Sequence, residues 1–463
     1  MRLARHIMVL VGSGLCAAAA VAQTTSRPTS APQSAPETAP ADKPFEVTLV
    51  AGSASGQNPI AIPVMPTPAV SVTAAGATDR LGRQVSDVIT ADLRNSGLFS
   101  PIAADKLSPV SNAQVTAPDF TVWGASGASA LVQGFVRANA DGNITVGCYL
   151  YDVVTKTELT RQGFNVAPHD WRRAAHKCAD IAYARLTGEG PYFDSRVVYI
   201  SESGPKAHRI KRLAMMDQDG ANHHFLTNGQ SIALTPRFAP NHQSIVYMSY
   251  AGERGRIYIF DLLTGRQRLV VDNANLSFAP RVSPDNKYIL FTMSVAGSAN
   301  IYRVPMSGGA PERLTADSGI STGGSYAPDG RKIVFESDRS GGQQLYVMNA
   351  DGSDAHRISF GAGRYATPAW SPRGDSIAFT KIANGKFRIG VMSPDGGGER
   401  VLTDQWQDEG PSWSPNGRVL SFFRLERGSG RSEIWSVDLT GSNERHILTP
   451  QDGSDPSWGS LLP

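Results

Sequence analysis

Few residues in this chain have the types and spacing needed for acyl-transfer chemistry. One Gly-x-Ser-x-Gly motif occurs, at residues 319–323, and it matches the pattern of a nucleophile elbow. An elbow requires a strand before the serine and a helix after it, so that the hydroxyl is exposed above a sheet. Here the motif is followed by another β-type stretch. We therefore interpret Ser321 as part of a glycine-rich loop and expect no catalytic role for it.

Motifs for metal and nucleotide chemistry are also missing. The sequence contains no His-Glu-x-x-His, no Cys-x-x-Cys, no phosphate loop ending in Gly-Lys-Ser or Gly-Lys-Thr, and no Gly-x-Gly-x-x-Gly after a strand. The histidine pair His223 and His224 would point its rings to opposite faces of a strand, which makes a poor metal site. We therefore expect no enzyme activity and no cofactor, and a binding surface becomes the leading hypothesis.

Two cysteines, Cys148 and Cys178, lie in the body of the chain. Cys148 alternates in phase with the apolar residues of a predicted strand, and Cys178 lies in phase with the apolar face of a predicted helix. Both side chains should therefore face a core. In an oxidising compartment they could form a disulfide, and two buried free thiols are an equally good interpretation.

The N-terminus has the features of a secretory signal peptide over residues 1–22. Two arginines precede an apolar run that ends in Ala-Val-Ala. The run has about 15 residues, fewer than the roughly 20 that span a bilayer, and no other stretch could span one. Without the two arginines the formal net charge falls from +3 to +1, with no basic patch. We expect an exported protein that is not membrane-spanning and does not bind nucleic acid.

Three parts follow the signal peptide. Residues 23–43 are rich in Pro, Ala, Ser and Thr and predict a disordered tail. Residues 44–190 combine short β-type runs with helical patterns over 81–93 and 171–186, and they predict a mixed α/β domain. The remainder, residues 195–463, is repetitive.

The repetitive part contains one short phrase at a nearly constant period. A Ser-Pro or Ala-Pro pair followed by a turn recurs with separations of 44, 44, 44 and 43 residues. A strand that ends in a glycine turn recurs six times between these prolines. The prolines are Pro240, Pro284, Pro328, Pro372 and Pro415. A period of about 40–45 residues with four short strands per repeat is typical of an all-β propeller, and six repeats predict six blades.

The two ends of the repetitive part complement each other. The first repeat begins at residues 196–199 without the leading Trp-Ser-Pro strand, and a spare copy of that strand lies at residues 454–460. Trp458 follows Trp413 by 45 residues. We predict that the C-terminal strand completes the first blade, because this removes the open sheet edges at the seam.

Loops at the mouth of the propeller are the expected functional surface. The segments just before the innermost strands differ between repeats and are small, apolar or acidic, which suits a protein partner better than a polyanion. The predicted partner-binding residues are Leu234, Thr235, Phe278, Thr322, Tyr365, Thr367, Glu409 and Asp455. An alternative place for Phe278 is the core between blades. A small ligand or a cation near Glu409 and Asp455 also stays open.

Motifs in both the α/β part and the repetitive part resemble the TolB family of the Tol–Pal envelope system. They include Val-Ile-Thr-Ala-Asp-Leu at residues 88–93, Phe-Glu-Ser-Asp-Arg at 335–339 and the closing Asp-Pro-Ser-Trp at 455–458. The resemblance covers nearly the whole chain after the signal peptide. It implies an N-terminal α/β domain joined to a six-bladed propeller.

The resemblance further implies a non-enzymatic, monomeric scaffold of the periplasm. In the family the propeller binds Pal, an outer-membrane lipoprotein, and the N-terminal region contacts the inner-membrane protein TolA. The system serves outer-membrane integrity and invagination during cell division. Here residues 23–43 stand where the family carries a shorter TolA-binding segment, so that motif does not transfer residue by residue. A ligand-binding or hydrolase-like propeller is the alternative, which the missing nucleophile set argues against.

Overall fold

The structure, a computed structural model, contains an α/β part followed by a β-propeller. It describes residues 57–205, 208–250, 254–273, 275–316 and 319–463. The predicted signal peptide of residues 1–22 and the predicted tail of residues 23–43 lie outside this part of the chain. Within the described residues, no helix is both long and apolar enough to cross a membrane.

The α/β part is built on a mixed five-stranded sheet. The strands of the α/β part are β1 (Asn58–Ala61), β2 (Val72–Thr73), β3 (Gly76–Ala77), β4 (Phe99–Pro101), β5 (Ala130–Ala138), β6 (Ile144–Asp152) and β7 (Thr157–Val166), and five of them form this sheet. The sheet order is β4-β1-β5-β6-β7, with β1 parallel to both of its neighbours. β5, β6 and β7 are antiparallel, and β2 and β3 form a separate hairpin.

Two long helices pack against each other beside this sheet. The two long helices are α1 (Thr78–Asn95) and α3 (Trp171–Thr187). The α/β part also contains the short helix α2 (Phe120–Ala125) and 3₁₀ turns at Ala104–Lys106, Ala113–Val115 and Pro168–Asp170. In α1 the apolar side chains predicted at helical spacing, such as Leu81, Val85 and Ile89, are fully buried. Gly188 ends α3 at φ 73°, a left-handed conformation that glycine adopts without steric cost.

A disulfide joins α3 to the sheet. It links Cys148 on β6 to Cys178 on α3, and the two Cα atoms are 5.8 Å apart. Both side chains are almost fully buried in the apolar core of the α/β part. The two residues are separated by 30 positions.

We expect a thiol-reactive probe to label neither cysteine in denatured, unreduced protein that starts at residue 23. Both should be labelled after reduction. Closing a loop of this length removes unfolded-state entropy, so reduction should lower the free energy of unfolding by about 3–4 kcal/mol. Mass spectrometry of the labelled protein counts the thiols. Two labels before reduction would show that the residues are free thiols in solution.

The described residues from 195 onwards form six four-stranded antiparallel sheets, the blades of the propeller. Blade 1 contains β8 (Ser195–Ser203), β9 (Ile210–Asp217) and β10 (His224–Phe225). Blade 2 contains β11 (Ile232–Phe238), β12 (Ser244–Tyr250), β13 (Gly255–Asp261) and β14 (Gln267–Val271), and blade 3 contains β15 (Leu276–Val282), β16 (Tyr288–Val295), β17 (Ser298–Pro305) and β18 (Glu312–Arg313). Blade 4 contains β19 (Ser321–Tyr326), β20 (Lys332–Ser337), β21 (Gln344–Asn349) and β22 (His356–Arg357). Blade 5 contains β23 (Arg364–Trp370), β24 (Ile377–Ala383), β25 (Lys386–Met392) and β26 (Arg400–Val401), and blade 6 contains β27 (Asp408–Trp413), β28 (Val419–Leu425), β29 (Ser432–Asp438) and β30 (Arg445–Ile447). The predicted fold class, an α/β domain followed by a six-bladed propeller, is confirmed.

The last strand, β31 (Asp452–Leu461), belongs to blade 1. It pairs antiparallel with β8 and is the fourth strand of that sheet. The indole N–H of Trp458 on β31 donates to Ser195 Oγ at 2.8 Å. The strands β11, β15, β19, β23, β27 and β31 contact one another in sequence, and β31 also contacts β11. These six innermost strands therefore form a closed ring around the central channel.

The α/β part packs on the side of the propeller that carries the Ser-Pro turns. Asn416, in the Ser-Pro turn of blade 6, donates its side-chain amide to Gly190 O at 2.8 Å. Asn443, in a turn on the same side of that blade, donates to Asn95 O at 2.6 Å. The ring of Tyr192 lies edge-on to Trp458, with centroids 6.1 Å apart. We call the channel end on this side the Ser-Pro mouth.

Candidate functional site

The six innermost strands share one irregularity, a bulge at which the pairing register shifts. Each bulge contains a residue with positive φ. These residues, which we call the bulge ring, are Thr235, Ala279, Gly323, Thr367, Gly410 and Asp455. Four of the six are not glycine, although the left-handed conformation costs an L-residue about 1–2 kcal/mol. A bulge bends its strand and changes the direction of its side chains, so the ring determines which groups face the channel.

The predicted partner-binding residues lie within these strands. The sequence predicts loop positions before the innermost strands, and that prediction is wrong. Leu234 and Thr235 belong to β11, Phe278 to β15, Thr322 to β19, Tyr365 and Thr367 to β23, Glu409 to β27 and Asp455 to β31. Thr, Gly and Asp are common in turns, and for this reason the sequence predicts loops at the bulges. In the structure, strand pairing continues on both sides of each bulge.

Three of the predicted residues pack into the blades. Tyr365 is fully buried and its hydroxyl donates to Glu399 Oε2 at 2.7 Å, so the expectation that it is a surface anchor is wrong. Leu234 and Phe278 are half-buried and pack against the apolar cluster between blades 2 and 3, which includes Phe291. This packing favours the blade-core alternative for Phe278.

The other five predicted residues lie at the bulges, where side chains connect neighbouring blades. Asp455 Oδ2 accepts a hydrogen bond from Thr235 N at 3.4 Å, which joins blade 1 to blade 2. Glu409 accepts from Gln407 Nε2 at 2.6 Å. Burial raises the pKa of Glu409, and the negative charge of Asp455 adds to this effect. The level of the bulge ring is therefore acidic on the side of blades 1 and 6.

A third carboxylate, which the sequence analysis did not single out, lies between two of the predicted residues. Glu336 on β20 accepts hydrogen bonds from Thr322 Oγ1 and from Thr367 N, the second at 2.8 Å. Burial raises the pKa of Glu336. A signal was present in the sequence, because Glu336 follows the apolar run of residues 333–335 inside a strand, and Glu is rarely buried without partners.

The Gly-x-Ser-x-Gly motif has no catalytic geometry. Ser321 is the first residue of β19, so its predicted loop position is wrong. Its hydroxyl lies 3.1 Å from Ser337 Oγ and 3.1 Å from Arg339 Nη2, and within the described residues 319–463 the motif is followed by strands and not by a helix. In the described part of the chain no histidine forms a hydrogen bond with this serine. The arrangement is that of a packed strand residue.

One cluster of possible metal ligands lies between the domains. His176, Asp217 and Asp219 each offer a ligand atom within 4.8 Å of the others. Arg172 already forms ion pairs with both aspartates, at 3.5 Å to Asp217. Burial alone would lower the pKa of His176, but the carboxylates of Asp92, Asp219 and Asp217 outweigh it and raise the pKa to about 9. A protonated imidazole cannot bind a metal, so we interpret the cluster as an interdomain ion-pair network.

Comparisons with known proteins match both parts of the chain. The TolB amino-terminal domain family matches residues 45–159, and the TolB beta propeller domain family matches residues 183–462. The Tol-Pal system protein TolB of Zymomonas mobilis is 67% identical over 414 residues, which are 89% of this chain and 90% of that protein.

This chain belongs to the TolB family. A second relative, the Tol-Pal system protein TolB of Rhizorhabdus wittichii, is 66% identical over 418 residues, which are 90% of this TolB-family chain and 95% of that protein. The crystal structure of TolB from Acinetobacter baumannii matches with a TM-score of 0.78 at 27% identity and covers 87% of this chain and 97% of that one. The family resemblance drawn from the sequence motifs is confirmed.

Proposed function

We propose that this protein is a non-enzymatic periplasmic scaffold of the Tol–Pal system. It binds Pal through the propeller and TolA through its N-terminal region, and it serves outer-membrane integrity and invagination during cell division. The observation that carries this proposal is the match of both domains, in order, to relatives named as Tol-Pal system protein TolB. The strand position of Ser321, without a base, argues against the hydrolase-like alternative.

The acidic level of the bulge ring is the part of the channel that we propose as a Pal contact. Residues of the blade cores recur in every repeat because equivalent positions pack in the same environment in each blade. The side chains at the bulges differ from blade to blade, with Thr322 in blade 4 and Glu409 in blade 6 at equivalent positions. A specific, asymmetric partner requires such differences. Interfaces also concentrate their binding energy in a few residues of this kind.

Glu409→Arg should weaken Pal binding at least about tenfold, or about 1.4 kcal/mol. The substitution replaces a carboxylate at the channel wall by a positive charge. A positively charged group of the partner that contacts Glu409 would then be repelled. Calorimetric titration with Pal of the same organism measures the affinity, and a thermal melt of each variant reports folding. Asp329→Arg is the matched control, because it makes the same charge change in an exposed turn at the Ser-Pro mouth. Wild-type affinity in the Glu409 variant would place the Pal contact elsewhere.

Phe278→Ala separates binding from packing in the same experiment. Because Phe278 is half-buried against the cluster between blades 2 and 3, we expect its truncation to lower the melting temperature. Loss of Pal affinity without loss of stability would instead assign Phe278 to the interface.

Deletion of residues 23–43 should abolish or strongly weaken TolA binding. The motivation is the position of this segment, which stands where the family carries its TolA contact. A pull-down of the deleted protein with TolA tests it, and unchanged Pal binding in the same protein shows that the propeller is intact. Full TolA binding by the deletion variant would exclude the tail as the contact.

A further inference from the structure

A cavity of about 370 Å³ occupies the channel at the Ser-Pro mouth. The prolines of the Ser-Pro turns form its rim. Deeper in the channel the wall is formed by one residue from each innermost strand, at the equivalent position just after the bulge. These six residues are Arg237, Arg281, Ser325, Ala369, Ser412 and Ser457. Two adjacent blades thus contribute arginine where the other four contribute a small side chain.

Among the described residues, neither arginine has a carboxylate within ion-pair distance. The hydrogen bonds that they make are to backbone carbonyls, from Arg237 Nη1 to Pro236 O at 2.7 Å and from Arg281 Nη2 to Pro368 O at 3.3 Å. A guanidinium has five N–H donors. Most of these donors are therefore left for a ligand.

The protein encloses both charges. Each side chain is half-buried, because part of it faces the cavity. Protein atoms surround the rest of the pair. Burial lowers the pKa of Arg281 well below its usual range, and the charge of Arg237 lowers it further. Burial also lowers the pKa of Arg237, with Asp455 partly opposing. Two enclosed like charges that form no ion pair with a described carboxylate repel each other.

The serines of the same level add further donors. Ser325 Oγ accepts a hydrogen bond from Trp370 N at 3.2 Å, and Ser412 Oγ accepts from Trp458 N at 2.9 Å. Ser457 Oγ accepts from the next blade in the same way, at 3.2 Å. In each case the hydroxyl hydrogen has no acceptor among the residues that the structure describes. The hydroxyls can therefore donate into the cavity.

We infer that this cavity binds a small oxyanion, with the guanidiniums of Arg237 and Arg281 as its main ligands. Paired guanidiniums match the geometry of phosphate and carboxylate oxygens. Blade packing does not require arginine here, because Ser or Ala occupies the equivalent position in the other four blades. The shared chemistry fits inorganic phosphate and the carboxylates of a small metabolite alike. The cavity volume suits ligands of that size.

The test is a titration of the mature protein with phosphate, and separately with citrate, at constant ionic strength. Trp370, Trp413 and Trp458 line the cavity, so their fluorescence should change in a saturable way. At about 100 times the dissociation constant the melting temperature should rise by roughly 5–10 °C. Tighter binding of phosphate would indicate the inorganic ion, and tighter binding of citrate would indicate a metabolite carboxylate.

Arg237→Ser and Arg281→Ser place the side chain of the other blades at these positions. Each should weaken anion binding at least about tenfold. In chloride buffer each variant should melt at or above the wild-type temperature, because the repulsion is relieved, whereas a structural role would lower it. Ser325→Ala should weaken binding roughly two- to tenfold, and exposed Arg266→Ser is the control. Unchanged affinity in both arginine variants, or no saturable response to either anion, would overturn the proposal.

Discussion

Deletion of residues 452–463 should sharply lower the melting temperature of a protein that starts at residue 23. The deletion removes β31, the innermost strand of blade 1, and exposes the edge of β8 to which it is paired. It also removes Trp458, which is 6% exposed and whose backbone N–H donates to Ser412 Oγ of blade 6 at 2.9 Å. Loss of a buried Trp side chain alone costs about 3–5 kcal/mol. At roughly 2–4 °C per kcal/mol, we expect a drop of roughly 10 °C or more.

Differential scanning calorimetry of the two proteins measures this drop. Removal of residues 462–463 is the matched control, because it shortens the same terminus but leaves β31 complete. Trp458→Ala should account for a large share of the effect of the full deletion. A soluble deletion variant with a wild-type melting temperature would show that the ring is closed by other contacts.

Asp92→Ala should destabilise the protein by about 3–5 kcal/mol, the usual cost of removing one partner from a buried ion pair. Asp92 on α1 is fully buried. Its carboxylate lies 2.6 Å from His176 Nδ1 on α3 and accepts from Gln218 Nε2 of the propeller at 2.8 Å. Without it, the imidazolium stays buried with its strongest partner gone, and the contact between the two domains loses a hydrogen bond.

Urea unfolding at neutral pH measures the loss. Asp87→Ala is the control, since Asp87 is an exposed residue of the same helix and a substitution there should change stability by no more than about 0.5 kcal/mol. Equal stabilities of the two variants would show that the network contributes nothing to folding.

The same network predicts a pH dependence. The groups that face His176 are Asp92 on α1, Arg172 on its own helix α3, and Asp217 and Asp219 of blade 1. Burial opposes the charged imidazole, but the carboxylates raise its pKa from 6.5 to about 9. Because the folded-state pKa is raised, the stabilisation is fully present below pH 6.5 and is lost as the pH rises through 9. At about 1.36 kcal/mol per pKa unit, the loss is about 3 kcal/mol.

His176→Gln isolates this contribution. Glutamine is neutral at every pH and can still donate a hydrogen bond to Asp92. The free energy of unfolding of the wild type should therefore fall relative to the variant as the pH is raised from 6 to above 9. Parallel stability curves over this range would mean that the histidine does not change its protonation on unfolding.

Much of the architecture follows from local sequence. The constant spacing of the prolines identifies one repeat per blade, because a propeller repeats one hydrogen-bonded sheet at one chain length, and the six copies of the glycine-turn strand predict six blades. The return of Trp458 after Trp413 predicts a strand that completes the first blade, and β31 does pair with β8. The helical spacing of Leu81, Val85 and Ile89 predicts the buried face of α1, because the period of a helix is set by its own backbone geometry.

The candidate site was predicted less well, because it depends on contacts between distant residues. Bulges with positive φ, as at Thr235 and Asp455, contain residues that are common in turns, so the sequence predicts loops there. Tyr365 looked like a surface aromatic, yet it is buried because its partners come from other strands of its blade. Local residue types cannot show which side of a strand faces the channel once a bulge has changed its direction.

The family, the two-domain order and the repeat can be predicted from the sequence, because they depend on local motifs and on a regular period. Which charges meet depends on how the chain folds. Arg237 and Arg281 are 44 residues apart and come together because the ring places equivalent positions side by side. Asp92, His176 and Gln218 meet because the α/β part packs on blade 1. Hydrophobic periodicity specifies the elements, whereas the energy of a buried charge depends on neighbours that folding alone brings near.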